Sequence, residues 1–356
     1  FQAEDGIRDR SPSRGLGDVY KRQMYHKWLD RWDERRMRRG DDLKRTTELA
    51  LDAELAFPAA KGVTDLGAFC ALSEQVTRNS DLFFGLAAGA PEVCWQDDVL
   101  HFPSSISTGM TENDMVSAKV TRARSSDHAV VVFHHWNASS RNAPLARFFA
   151  ARGITVFEMA MPYHLERTRP GSLHADHMLS PNLGRTIQSI RQAVVDGRQL
   201  IKIAQRAGYR KISVLGISLG SWVAGLIAAH DPAVDKASLL LTGGDLAEMV
   251  WTGGAMRHIR ASLDGKIELS DLRRAWAPLN LESYVGKLAR PALDVQILLA
   301  TRDRVVLPTV SERLVQRLEG AGTSLNVERL NCGHYSLTLP PYIITTGMRA
   351  SRFLSR

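Results

Sequence analysis

The stretch that decides the fold of this chain is Lys211-Ile-Ser-Val-Leu-Gly216-Ile217-Ser218-Leu219-Gly220-Ser221-Trp222. Its first half is a short apolar run typical of a buried strand, and G-x-S-x-G then leads into an apolar, small-residue helix. Gly216 and Gly220 carry no Cβ, so the backbone can turn tightly around Ser218. A strand, a serine turn and a helix in this order form a nucleophile elbow, which exposes the serine hydroxyl. We therefore predict that Ser218 is a nucleophile.

A serine nucleophile needs a base, and the base needs an acid that orients it. Asp303 and His334 each lie in a loop directly after a predicted buried strand. The loops at the carboxyl ends of the strands carry the functional groups of open α/β sheets. Asp245 also follows a predicted strand and is the alternative acid. We expect Ser218, His334 and Asp303 to form a catalytic triad.

Strand and helix patterns alternate through this part of the chain, which favours a mostly parallel, doubly wound sheet with helices on both faces. Helices are predicted at 144–152, 182–208 and 311–319, strands at 153–160, 235–243, 294–300 and 324–330, and an edge hairpin at 101–107 and 115–122. Together with the chain order Ser218, Asp303, His334, this pattern resembles the α/β-hydrolase superfamily. The resemblance covers roughly residues 99–356.

The resemblance also implies where an oxyanion would bind. Residues 129–137 look like the third strand of the family and the oxyanion loop that follows it. By this match, the backbone N–H groups of Trp136 and Leu219 would be the two donors. His135 stands where many relatives have glycine.

The rest of the chain suggests three further parts. Residues 1–23 resemble translated sequencing-adaptor read-through and are interpreted as non-native. Residues 24–98 are predicted to form a mainly helical extension that packs beside the catalytic sheet, with Met24 opening its first helix. Residues 99–356 would be the catalytic domain, and about 246–288 of it a small helical cap.

Three residues are candidates for the substrate pocket, namely His135, His164 and Arg167. His164 and Arg167 lie in the irregular segment after the strand predicted at 153–160. An arginine there could bind an anionic part of a substrate, because guanidinium groups match carboxylate and phosphate geometry. The preferred alternative is a solvated loop in which Glu166 pairs with neighbouring arginines.

The composition narrows the class of protein. With 44% hydrophobic residues the chain can bury a sizeable core, and it has no apolar run of about 18 residues that would span a membrane. Three cysteines provide no disulfide framework and indicate a cytoplasmic protein. The net charge of +8 is dispersed, and no nucleic-acid-binding module is recognisable. A basic amphipathic helix over 25–39 could touch an anionic membrane, but we expect its apolar stripe to pack on its own domain.

The sequence thus predicts a serine hydrolase that cleaves a small carboxylic ester or thioester through an acyl-enzyme, with no metal and no cofactor. His174 and His177 are too few to form a metal site. Cys332 lies near His334, but its loop has no elbow and it is not expected to be a nucleophile. The alternatives are an acyltransferase on the same scaffold and a non-catalytic, hydrolase-like binding protein.

Overall fold

The computed structural model of this chain describes residues 13–87, 89 and 91–356. Residues 1–12 of the segment interpreted as adaptor-derived lie outside the described residues. The strands in the described part are β1 (Cys94–Gln96), β2 (Val99–Pro103), β3 (Met115–Thr121), β4 (His128–Phe133), β5 (Thr155–Met159), β6 (Lys211–Ile217), β7 (Lys236–Leu240), β8 (Asp294–Ala300) and β9 (Ser324–Leu330).

The helices of the described part surround these strands. They are α1 (Ser13–Asp42), α2 (Ala53–Ala56), α3 (Leu66–Arg78), α4 (Ser80–Phe83), α5 (Thr111–Asp114), α6 (Ala143–Ala150), α7 (Leu183–Arg206), α8 (Leu219–His230), α9 (Leu246–Thr252), α10 (Arg257–Leu263), α11 (Leu269–Ala275), α12 (Val285–Leu288), α13 (Pro308–Gly320) and α14 (Tyr342–Ser355). Short 3-10 helices lie at Leu165–Arg167, Ala277–Leu279, Leu281–Tyr284 and Ser336–Thr338.

The strands form one sheet in the order β1-β2-β3-β5-β4-β6-β7-β8-β9. The strands from β5 to β9 in this order pair in parallel, whereas β1, β2 and β3 pair antiparallel at one edge. β2 and β3 are the edge pair that the sequence predicted. The carboxyl ends of the parallel strands lie at one edge of the sheet, so the loops after β4, β6, β8 and β9 all emerge there.

Both faces of the central strands are buried, which explains why these strands are apolar throughout instead of alternating with polar residues. On β4, Val131 and Phe133 belong to the core that includes α7, α8 and α13. Val130 and Val132 belong to the core on the other face, with α6 and α14. Helices therefore cover both faces of the sheet, as a doubly wound fold requires.

The helices before β1 pack on the segment between β7 and β8. Ser73 on α3 donates a hydrogen bond to the Ala275 carbonyl at 2.7 Å, and Arg274 pairs with Glu74. α2 packs on α7. These helices therefore contact α7 and the segment predicted as a cap, and Phe57 and Phe69 belong to the same core as Val131 of β4.

Helix α1 differs from its prediction in two ways. It begins at Ser13 and not at Met24. The apolar stripe expected to pack inward, formed by Tyr25, Trp28, Leu29 and Trp32, is buried only in part. Leu29 is fully buried, whereas Trp28 is 51% exposed and Tyr25 is 37% exposed. Met37 and Asp33 are buried as well.

Candidate active site

Ser218 stands at the turn between β6 and α8 in a strained backbone conformation, with φ 53° and ψ −123°. A positive φ is unfavourable for a residue with a side chain, and such strain is concentrated at functional sites. A Cβ at Gly216 would overlap the Gly220 backbone. A Cβ at Gly220 would overlap the carbonyl oxygens of Phe133 and His134. The two glycines of G-x-S-x-G therefore allow the turn to close and α8 to approach the end of β4.

The structure brings Ser218, His334 and Asp303 into one hydrogen-bonded chain. His334 Nε2 lies 3.0 Å from Ser218 Oγ, and His334 Nδ1 donates to Asp303 Oδ2 at 2.7 Å. Asp303 Oδ1 accepts the backbone N–H groups of Val305 and Val306 at 2.7 and 2.9 Å. Asp303 is 3% exposed and His334 9% exposed, so water screens neither strongly. This arrangement can draw the proton of Ser218 toward His334.

Backbone hydrogen bonds join the two loops that carry Asp303 and His334. The Thr301 N–H donates to the Leu330 carbonyl at 2.9 Å, and the Arg302 N–H to the Cys332 carbonyl at 3.0 Å. The loop after β8 is thus tied to the loop after β9 immediately before each functional side chain.

The two predicted oxyanion donors lie on loops that meet at the elbow. Leu219 is the first residue of α8, so its N–H has no partner within the helix. Trp136 lies three residues after Phe133, whose carbonyl is in contact with Gly220. Among the described residues, no atom accepts a hydrogen bond from the backbone N–H of Trp136 or from that of Leu219.

The indole of Trp136 is held on three sides. Its Nε1–H donates to the Ala175 carbonyl at 3.1 Å, and its ring stacks on His258 with centroids 6.1 Å apart. Lys44 Nζ lies 3.2 Å from the indole centroid. Burial lowers the pKa of Lys44 to about 8, with Asp176 opposing the shift. These contacts fix the side chain of Trp136, the residue predicted to supply one oxyanion donor.

Two neutral histidines hold the predicted oxyanion loop to the segment after β5. His134 Nε2 accepts the Met161 N–H at 3.1 Å, and His164 Nε2 accepts the Asn137 N–H at 2.9 Å. The Nδ1 atoms of His134 and His164 bond the carbonyls of His135 and Pro162. Burial lowers the pKa of His164 to about 4 and that of His134 well below its usual value.

This geometry corrects the expectation that His164 lines a substrate pocket. The side chain is 2% exposed, and both ring nitrogens bond the backbone. His164 instead holds the loop that contains Asn137, a role that the sequence did not predict because nothing in the local spacing links residue 164 to Asn137.

Arg167, the other candidate in the segment after β5, is occupied by contacts within the protein. Its guanidinium is fully buried, pairs with Asp196 at 2.9 Å and donates to the carbonyls of Asn113 and Ala160. Glu166 pairs with Arg141 and not with the arginines beside it in sequence. The preferred alternative, a solvated loop in which Glu166 pairs with neighbouring arginines, is therefore wrong. The expectation that Arg167 binds an anionic part of a substrate is wrong as well, because its guanidinium is buried against Asp196.

His135 is the pocket candidate that does face solvent near the elbow. Its side chain is exposed to solvent, although protein atoms surround much of the ring. This partial burial and the nearby His334 both lower the pKa of His135. A cavity of about 260 Å³ opens here, lined in part by His135, Ile217, Arg141 and Glu158. Burial raises the pKa of Glu158, and its Oε2 has no hydrogen-bond partner in the described part of the chain.

The remaining candidates lie elsewhere. Asp245 begins α9, where it accepts the Glu248 N–H at 3.0 Å and pairs with Arg273 at 2.6 Å. Cys332 has a buried free thiol, and burial raises the pKa of this thiol to about 12.

Within residues 13–87, 89 and 91–356, no three His, Cys, Asp or Glu side chains are grouped as a metal site. No helix in that same part is both long and apolar enough to cross a membrane.

Comparison of the sequence with protein-family models and with curated proteins finds no match. Solved structures are similar in fold. Acetyl xylan esterase 1 from Thermoanaerobacterium sp. JW/SL YS485 matches with a TM-score of 0.59 at 15% identity, over 90% of this chain and 97% of that one. The acylaminoacyl peptidase of Pyrococcus horikoshii matches with a TM-score of 0.58 at 10% identity, over 76% of this chain and 42% of that one. An esterase from Pyrococcus furiosus matches with a TM-score of 0.51 at 14% identity, over 75% and 93%.

These likenesses, with the sheet order described above, identify the architecture as an α/β-hydrolase fold. The fold class predicted from the sequence is confirmed. Because a fold can carry many activities, the reaction has to be argued from the site itself.

Proposed function

We propose that this protein is a serine hydrolase that cleaves a small carboxylic ester or thioester. The observation that carries the proposal is the continuous chain from Ser218 Oγ through His334 to Asp303, at 3.0 and 2.7 Å. It starts at a serine held at a positive φ, and backbone strain of this kind is concentrated at functional sites.

In the proposed reaction, His334 Nε2 takes the proton of Ser218 as Oγ attacks the acyl carbon. The tetrahedral intermediate collapses when His334 protonates the leaving group, and water then releases the acyl group by the same steps. Asp303 accepts the Nδ1–H of His334, so Nε2 is the nitrogen that accepts the proton. The negative carboxylate also stabilises the imidazolium that forms.

The N–H groups of Leu219 and Trp136 are the proposed oxyanion donors. In the described part of the chain neither N–H has an acceptor, and each such donor is worth about 2.7–4 kcal/mol of transition-state stabilisation. The bonds that His134 and His164 make to the backbone hold the loop of Trp136. We assign these two histidines to loop positioning and His135 to the wall of the substrate site.

The structural neighbours bear esterase and peptidase names, which supports acyl transfer to water as the reaction class. A buried Cys332, with its raised pKa, makes a thiol nucleophile a poor alternative. We further propose residues 24–98 as an extension, 99–356 as the catalytic domain and about 246–288 as its cap. The free thiols of all three cysteines support a cytoplasmic location.

Labelling with a fluorophosphonate probe tests the proposal. We expect the full chain to label, and Ser218→Ala and His334→Ala to lose labelling. The chain offers a matched control, because Ser213 Oγ also lies 2.8 Å from a histidine, His128 Nε2, but is buried within β6. Ser213→Ala should therefore keep full labelling.

Hydrolysis of p-nitrophenyl acetate should follow the same pattern as labelling. A folded parent that neither labels nor hydrolyses the ester would contradict the proposal. Labelling that survives in Ser218→Ala would contradict the assignment of the nucleophile.

A further inference from the structure

The carboxylates of α1 contact the loops that carry Asp303 and His334. Asp33 Oδ1 accepts the N–H groups of Tyr335 and Ser336, at 2.7 and 3.0 Å. On the other side of His334, a Cβ at Gly333 would overlap the Asp33 carboxylate. Asp33 is 7% exposed, so these contacts form away from water. One side chain of α1 thus touches the residue before His334 and the two residues after it.

Two neighbouring carboxylates of the same helix bind the other loop. Asp30 accepts from Arg302 Nε at 2.8 Å, and Glu34 pairs with Arg304 at 2.9 Å. Arg302 and Arg304 are the residues on either side of Asp303. We call Asp30, Asp33 and Glu34 the acidic row; their spacing of three and four residues puts them on one face of the helix.

The acidic and basic residues of α1 differ in exposure. The acidic row contacts the protein, whereas the basic residues Lys27, Arg31, Arg35, Arg38 and Arg39 are exposed, and Arg38 also pairs with Glu34. Burying a carboxylate costs free energy unless hydrogen bonds satisfy it. The loop N–H groups do so for Asp33 Oδ1. The contact of α1 with the His334 loop is thus made by one carboxylate oxygen, and Asp33 Oδ2 has no hydrogen-bond partner in the described part of the chain.

We propose that Asp33 is a positioning residue of the active site, which holds the His334 loop so that Nε2 stays within reach of Ser218 Oγ. This inference rests on the proposed function for its effect on turnover. Asp30 and Glu34 hold the Asp303 loop in a similar way, but their ion pairs with Arg302 and Arg304 are more exposed and contribute less to the position of that loop.

The test compares Asp33→Ala and Asp33→Asn in the full chain. Alanine removes both hydrogen bonds to the loop, whereas asparagine keeps an oxygen that can accept them. A displacement of about 1 Å at a reacting group costs about 100-fold in rate. We expect kcat for p-nitrophenyl acetate to fall about 10- to 100-fold in Asp33→Ala with KM within about twofold, and to recover to within about fivefold of the parent in Asp33→Asn.

Asp42→Ala is the matched control, because Asp42 is on the same helix but is exposed and pairs with Arg257. It should leave kcat unchanged. A second readout needs no turnover, namely the low-field 1H NMR signal of His334 Nδ1–H, identified by its loss in His334→Ala. We expect this signal to shift or broaden in Asp33→Ala and to persist in Asp33→Asn.

The outcomes separate the two proposals. If Asp33→Ala lowers only the urea midpoint while kcat and the NMR signal are unchanged, Asp33 is merely structural and the inference is wrong. An Asp33→Asn variant as impaired as Asp33→Ala would overturn it as well. If the parent is inactive but its NMR signal still depends on Asp33, the proposed function fails and the positioning role stands.

Discussion

Replacing Asp303 by asparagine should separate the role of its charge from the role of its shape. Asp303 Oδ1 accepts two backbone N–H groups, from Val305 and Val306, and Oδ2 accepts from His334. Asparagine has one acceptor atom, and the two N–H groups will hold it at the Oδ1 position. The amide NH2 then faces His334 Nδ1. The flipped amide would put an NH2 group against two buried donors and is therefore disfavoured.

An NH2 group at this position reverses the hydrogen bond to His334. Nδ1 must then accept, so the proton moves to Nε2, and Nε2 can no longer take the proton of Ser218. The same change in a serine protease triad lowers kcat about 10⁴-fold, which corresponds to about 5.5 kcal/mol. We expect kcat for p-nitrophenyl acetate to fall about 10³- to 10⁴-fold at neutral pH, with little change in KM.

The control for this experiment is Asp245→Asn, which replaces the alternative acid. Asp245 accepts the Glu248 N–H at the start of α9, and asparagine caps a helix equally well. Its pair with Arg273 is partly exposed and contributes little. Activity should therefore stay within about threefold of the parent. A folded Asp303→Asn enzyme with more than a tenth of the parental kcat, or an equal loss in Asp245→Asn, would refute the reasoning.

Two further predictions concern the elbow and the stability of the fold. Gly220→Ala places a methyl group against the Phe133 and His134 carbonyls. It should therefore lower the free energy of unfolding in urea by about 1–3 kcal/mol and slow fluorophosphonate labelling about 100-fold. Unchanged labelling would contradict the close approach of α8 to the end of β4. Burial lowers the pKa of His230 from 6.5 to about 4. As the pH falls from 6.5 to 4, this histidine is therefore protonated in the unfolded chain before it is protonated in the folded one, and the folded state loses stability over that range. His230→Phe keeps the ring contacts with Phe84 and Tyr284. It should remove about 3 kcal/mol of the pH dependence of unfolding between pH 7 and pH 4, whereas equal slopes for parent and variant would exclude His230 as its source.

The sequence predicted those parts of the site that follow from the sheet. β8 and β9 have the bounds expected from their apolar runs, at 294–300 and 324–330. Because parallel strands end at the same edge, residues directly after them lie close together, and this applies to Asp303 and His334. Whether a hydrogen bond forms depends on the loop conformations, which strand patterns do not determine.

The two pocket candidates that lie elsewhere, His164 and Arg167, fail for a common reason. Each side chain is buried by a partner far along the chain, Asn137 for His164 and Asp196 for Arg167. Local spacing carries no information about such partners. A charged residue in an irregular segment looks exposed in sequence until the carboxylate that neutralises it is known, and here that carboxylate is on α7.

Helix α1 shows why apolar periodicity found only part of the contact face. That pattern detects surfaces that are buried by the hydrophobic effect, and it selected Tyr25, Trp28, Leu29 and Trp32. Leu29 is buried, but Tyr25 and Trp28 are partly exposed. Besides the buried Leu29 and Met37, the helix contacts the protein through the acidic row, whose contacts are hydrogen bonds and ion pairs, so its inner face is partly polar in sequence. A different signal was present, since the acids Asp30, Asp33 and Glu34 recur at i, i+3 and i+4. Such an acidic row fits a protein surface that offers N–H groups and arginines, and the loops on either side of Asp303 and His334 offer both.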